Sequence, residues 1–219
     1  MKNHISSAWI KSLLSLSLLI ASSMTLADIA SDVSHLQSRW AEINYQLEGK
    51  TQITAFEELV AEADKVASAY PDRAEAWIWS GIIKSTFAGA KGGLGALSLA
   101  KASKKDLERA LKLNSDALDG SAYTSLGTLY YNVPGWPVGF GDDEKAEELL
   151  KKALTMNPDG IDSNYFYGDF LLNQKRYNEA KRYLQKAQQA PARPGRPVAD
   201  AGRRKEIAEA LGKIEAKLN

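Results

Sequence analysis

The sequence predicts an all-α fold, an α-α superhelix (solenoid) of about three stacked helix pairs with capping helices at both ends. The first observation behind this is a recurring pattern of small and large apolar residues. One copy has Tyr123, Leu126, Gly127, Tyr130, Ala146, Leu150 and Ala153; the next has Tyr167, Gly168, Leu171, Ala180, Leu184 and Ala187. The second is the prolines that stop the helices, Pro158 and Pro191. The spacing within each segment is that of one helix face. Helix pairs of this size cannot bury their apolar faces alone, so they stack and present a continuous groove.

The chain opens on an expected targeting segment, residues 1–27. Lys2 and Lys11 flank an apolar run from Leu13 to Ile20, and Thr25, Leu26 and Ala27 form a small-x-small cleavage site, so the mature chain is expected to start at Asp28. The run is short for a membrane span, and no second hydrophobic segment follows it. Retention as an uncleaved anchor is the alternative, and the absence of Cys excludes a lipoprotein anchor. Export to the periplasm of a Gram-negative bacterium is the expectation.

Residues 28–73 follow as a helical pair. Val33, Leu36, Trp40, Ile43 and Leu47 lie on one face, and Phe56, Leu59, Val60, Ala63 and Val66 precede Pro71. The pair reads as a cap or a degenerate repeat. Repeats then span 74–190. The first copy begins at Trp77 with Gly81, lacks Leu at Ser80, and resumes at Leu107, Ala110 and Leu113 after about ten extra residues. In the middle copy about seven extra residues separate Tyr130 from Ala146. The last copy is regular, with Ala180 sixteen residues after Asn164.

The two insertions carry the chain's individuality. The glycine-rich one, 88–100, reads as a loop followed by an early start of the helix that holds Leu107 and Ala110. No strand precedes Gly89 and no Walker spacing is present, so a phosphate loop is not expected. The second, 132–143, reads NVPGWPVGFGDD. Its prolines and glycines predict a compact, ordered loop. Trp136, Val138 and Phe140 either fold back on the repeats or await a partner. Asp142 and Asp143 are expected to cap and complement the next helix rather than to hold a metal. Residues 191–219 form a basic linker and a closing helix from about Asp200, with Ile207, Leu211, Ile214 and Leu218 on one side. Arg193, Arg196, Arg203, Arg204 and Lys205 are expected to be a solvated cluster, with an acidic partner or anionic lipid as the alternative.

At these residues the chain resembles the tetratricopeptide repeat superfamily. That family's unit of about 34 residues carries a large residue, then Leu and Gly, an aromatic, two Ala flanking a large apolar residue, and Pro. The resemblance implies that first helices line the concave face. By register that face includes Glu75, Ile78, Ile82, Thr124, Thr128, Tyr131, Tyr165, Asp169 and Asn173. The candidate partner-binding residues are Ile78, Ile82, Thr124, Thr128, Tyr131, Tyr165 and Asp169, with Trp136 on the loop. Modules of this family that grip a chaperone's carboxylate tail place Lys and Asn at the key groove positions. Here those positions hold Ile78, Ile82, Thr124, Thr128, Tyr165 and Asp169, which fits an extended peptide or the surface of a folded protein better.

Composition narrows the chemistry. No Cys is present, and only His4 and His35 carry imidazoles. Thiolate chemistry, zinc sites and His-based triads therefore lack their materials, and no catalytic residue, metal or cofactor is expected. Loss of Lys2 and Lys11 with the leader leaves 26 basic against 27 acidic residues, which gives no electrostatic case for nucleic acid. The expected role is a non-catalytic scaffold or adaptor holding a periplasmic protein or peptide. The alternative is an accessory component of a solute uptake system, to which the exported T component of TRAP transporters is similar in a general way. A solute carrier should enclose an apolar pocket near the glycine-rich insertion, whereas an enzyme should bring two carboxylates into one cleft.

Overall fold

The structure, a computed structural model, describes residues 28–218. The expected leader lies outside the described residues. Nine α-helices account for nearly all of those described: α1 (residues 28–46), α2 (Gly49–Ala69), α3 (Ala74–Lys91), α4 (Gly93–Leu113), α5 (Ser121–Asn132), α6 (Asp143–Met156), α7 (Ile161–Asn173), α8 (Tyr177–Gln189) and α9 (Pro197–Leu218). A short 3-10 turn, Ala117–Gly120, leads into α5. The helices stack in sequential pairs, the predicted solenoid.

Each repeat is held by the same crossing. Gly81, Gly127 and Gly168 lie against the second helix of their own pair. A methyl group added to them would sit 2.6, 2.8 and 2.8 Å from the Cγ atoms of Leu107, Leu150 and Leu184. All three leucines are fully buried. Four residues before each leucine the second helix carries a small buried side chain, Ser103, Ala146 or Ala180. In the first pair this residue is Ser103, whose hydroxyl donates to the carbonyl of Gly81 at 2.6 Å. Close approach of two backbones thus sets the repeat, and the leucine fills the remaining space.

The large position four residues before each glycine also has a fixed task. In the first pair the Trp77 indole N–H donates to the Pro71 carbonyl at 3.0 Å. In the last pair Asn164 Nδ2 donates to the Pro158 carbonyl at 2.8 Å. Asn164 therefore replaces an aromatic side chain without losing the tie to the preceding turn.

In the glycine-rich segment 88–100 the expected early start of the helix that holds Leu107 and Ala110 is present, but the expected loop before it is reduced to one residue. Helix α3 runs on through Ala88–Lys91, only Gly92 interrupts, and α4 starts at Gly93. Gly92 and Gly93 take positive φ of 61° and 62°, which glycine tolerates without strain. Helix-forming Ala96, Leu97, Leu99 and Ala100 outweigh the cost of about 1 kcal/mol for a glycine inside a helix, so the extra residues extend both helices rather than bulge out. Helices α3 and α4 are 18 and 21 residues long, against 13 each in the regular last pair.

Between α2, α3 and α4 lies an ion cluster in which Lys84 and Asp106 are buried and Asp64 is at the surface. Lys84 Nζ donates to Asp106 at 2.5 Å, to Asp64 at 2.6 Å and to the Ser80 hydroxyl at 3.0 Å. Ser80 occupies the position where Leu was missing, and the polar cluster is the reason. Burial opposes the charge on Lys84, but its two carboxylates raise its pKa above the ordinary lysine value.

The closing helix differs from expectation in two ways. It begins at Pro197, a residue suited to the first turn of a helix. Leu218 is exposed, while Ile207, Ala210 and Ile214 join the core of α6–α8. Moreover, Ala199 of its first turn packs into the core formed by α1–α3. The arginines are not a solvated cluster. Arg193 bonds Asp162 at 2.5 Å and Asp200 at 2.7 Å. Buried Arg203 bonds Asp162 at 2.8 Å and Glu206 at 2.6 Å, Arg204 donates to the Gln188 and Ala190 carbonyls, and Arg196 lies over the Trp79 ring. Carboxylates on α7 and α9 neutralise the charge, so the segment binds the solenoid's own ends together. Burial opposes ionisation of Asp162, yet Arg203 and Arg193 hold its carboxyl below the ordinary range.

Candidate functional site

The concave face carries a cleft of about 630 Å³. One wall is the extended part of α3 and α4, where small residues, Ala88, Gly89, Gly93, Ala96 and Ala100, face the space. Aromatic residues supply much of the remainder, Trp40 and Tyr45 from α1 and Tyr165 and Phe166 from α7. Val133, Pro134 and Val138 of the second insertion form the rim. The cleft lies at the glycine-rich segment but is open on one side rather than enclosed.

The cleft is closed between α1 and α9. Tyr45 Oη donates to Glu206 Oε2 at 3.3 Å, and the Tyr45 ring occupies the space where any side chain at Gly202 would project. Burial pushes the Tyr45 phenol up to about 12, against the lowering effect of Arg203. Arg203 lies over the Tyr165 and Phe166 rings, 4.3 and 4.4 Å from their centroids. Burial raises the Tyr165 phenol above its ordinary value and likewise the Glu206 carboxyl, both opposed by Arg203. Among the described residues Glu206 is the one carboxylate lining the cleft, and it is ion-paired.

The predicted groove residues divide. Thr128 and Tyr165 line the cleft. Tyr131 and Asp169 meet each other instead, the buried phenol donating to the carboxylate at 2.7 Å. Burial and the neighbouring charge raise the Tyr131 pKa, so it stays a donor. Ile78 and Thr124 are corrected, because Ile78 is fully buried and Thr124 is 6% exposed, both turned into repeat packing. Ile78 faces the following repeat and packs in one core with Leu107, Ala110, Ala122 and Leu126, while Thr124 is buried on α5. Ile82 is half-buried against the core of the first helices and does not line the cleft. Sequence reasoning missed Trp40, Asn44, Tyr45 and Arg203, because they come from the caps, outside the repeat register. Spacing alone could not place them; only the small-residue run 88–100 signalled that something approaches closely there.

The loop between α5 and α6 is compact, as its composition predicts. Gly141 N–H donates to the Pro134 carbonyl at 2.9 Å, Asp142 N–H to the Tyr130 carbonyl at 2.9 Å, and Val138 and Gly139 N–H to the Gly135 carbonyl at 3.1 Å each. A side chain at Gly139 or Gly141 would collide with the backbone of Val133–Pro134. Asp142 caps α6 by accepting from Lys145 N–H at 3.0 Å, and Asp143 accepts from Gln174 at 2.8 Å. The three large residues part company. Phe140 packs edge-on against Tyr130 with Lys104 over both rings, whereas Trp136 is 90% and Val138 62% exposed. Trp136 does not fold back on the repeats.

Residues 139–196 match the tetratricopeptide repeat family model. Over 74% of this chain and 76% of its own, the crystal structure of TTC0263, a thermophilic TPR protein of Thermus thermophilus, is similar with a TM-score of 0.56 at 16% identity. A crystal structure of MamA is similar at 17% identity over 83% of this chain and 91% of its own, with a TM-score of 0.43. No curated protein sequence matches the chain. The fold is that of the tetratricopeptide repeat superfamily, with the repeat sequence itself matched from the α5–α6 loop to the linker before α9.

Proposed function

We propose that this chain is an exported, periplasmic interaction module that docks a protein partner on the loop between α5 and α6. The tetratricopeptide fold suggests a scaffold for protein-protein interaction. The observation that carries the docking surface is Trp136, 90% exposed on a loop whose glycines and backbone hydrogen bonds fix its shape. A tryptophan presented on a rigid loop loses little entropy on binding, and such residues commonly contribute about 2 kcal/mol or more to an interface. Val138, Pro134 and Val133 extend the apolar surface from Trp136 to the cleft rim. The fold alone does not choose a partner.

A photo-crosslinking amino acid at position 136, installed in the exported protein in its own host, tests the proposal. A discrete protein adduct at 136, and none from the same residue at exposed Gly212 on α9, is expected. Absence of any adduct at 136 would refute it.

A second reading, an accessory of a solute uptake system, is favoured by one observation, the apolar cleft against the glycine-rich ends of α3 and α4.

A further inference from the structure

The extra residues of α3 and α4 do not serve the repeat crossing, which the regular last pair achieves with 13-residue helices. They present Ala88, Gly89, Gly93, Ala96 and Ala100 to the cleft, with Leu97 the one large side chain that this stretch adds to the lining among the described residues. Its volume, about 630 Å³, falls within the range of small-molecule sites, about 300–1,000 Å³. Closure between Tyr45 and Gly202 obstructs an extended chain on that side.

Charge selects further. Among the described residues Arg203 and Glu206 are the charged groups lining the cleft, and they bond each other at 2.6 Å. Arg203 also bonds Asp162 and is stacked on two rings. A charged ligand would find no free counter-ion and would have to break a partly buried pair whose arginine is buried, which is costly. The polar capacity left over is neutral. The half-buried Asn44 amide makes no side-chain hydrogen bond among the described residues, whereas Thr128 and Asn132 on the same lining donate to the carbonyls of Thr124 and Thr128 and offer the cleft acceptors.

We infer that the cleft is a binding site for a compact, uncharged, largely apolar small molecule with one or two hydrogen-bonding groups, which the Asn44 amide meets. This rests on the second reading only in taking the cleft as a ligand site. It requires no part in transport, so an uptake assay can fail while ligand binding stands.

The test is fluorescence titration of the full mature chain with N-phenyl-1-naphthylamine, a neutral apolar probe, and with the anionic 8-anilinonaphthalene-1-sulfonate. Ala96→Phe on α4 and Asn44→Phe on α1 fill the cleft from two different helices, each from a half-buried position, with folding checked by circular dichroism. The expected result is one equivalent of neutral probe bound, weakened about tenfold or more in both variants, and an anionic probe weaker than the neutral one by about tenfold. Trp136→Ala should leave neutral-probe affinity within about twofold, since Trp136 does not line the cleft. Unchanged affinity in folded Ala96→Phe or Asn44→Phe would overturn the inference. So would loss of binding in Trp136→Ala, or an anionic probe that binds as well as the neutral one.

Discussion

Replacing Gly168 by Ala tests the repeat crossing, because two opposing effects can be weighed from the structure. Alanine inside a helix is favoured over glycine by about 1 kcal/mol. At Gly168 the new methyl would lie 2.8 Å from Leu184 Cγ and 3.1 Å from its Cδ2. Leu184 is fully buried, so it cannot swing away without disturbing Ala180 and Ala187 beside it. Overpacking of this kind costs about 1–3 kcal/mol. The net expectation is a loss of about 1 kcal/mol. Gly212 on α9 meets nothing within 4 Å of the same methyl position. Gly212→Ala should therefore gain up to about 1 kcal/mol, opposite in sign. Urea unfolding followed by circular dichroism reads both as midpoint shifts at constant slope. In a Leu184→Ala background the clash disappears, so Gly168→Ala should there stabilise, and the two substitutions should couple by about 2 kcal/mol. If Gly168→Ala stabilised the protein as Gly212→Ala does, the close crossing would be refuted.

Glu147 accepts from Lys151 at 2.8 Å, Arg176 at 2.8 Å and Tyr167 at 3.0 Å, and Lys151 and Arg176 lower its carboxyl to about 2. A lowered folded pKa gives stability above the ordinary value of 4.5 that fades as pH falls toward 2. Solvent screening reduces it to about 1 kcal/mol, so the stability gap between wild type and Glu147→Gln should close over that window; a gap independent of pH would contradict this. Lys84→Met leaves Asp106 buried without its cation and should cost about 3–5 kcal/mol, whereas Lys84→Met with Asp106→Leu should recover much of the loss. Equal stabilities of the single and double variants by urea unfolding would count against the ion cluster.

Much of the fold was legible because repeat packing writes itself into local spacing. Gly127 with Leu150, and Gly168 with Leu184, declare a close crossing whatever else surrounds them. Ser103 was harder to see as the partner of Gly81, since it lies ten residues further along than Ala180 does from Gly168. In the segment 88–100 the early start of α4 was legible, but the glycine count overstated the loop before it, which is Gly92 alone. The cleft was only partly legible. Tyr165 and Thr128 belong to the repeat register, but Tyr45 and Glu206 meet across more than 150 residues of chain, through a closure that no periodicity encodes. Arg203 illustrates the limit: in sequence it sits in a basic cluster, and in space Asp162 and Glu206 consume its charge.

The most direct test of the central proposal is the intact mass, under non-denaturing conditions, of the protein isolated gently from the periplasmic fraction of its own host, beside its Trp136→Ala variant. The account predicts a chain that begins at Asp28 and carries a protein companion that the variant sheds. A chain that retains residues 1–27 and travels alone, or a companion held equally by the variant, would contradict it.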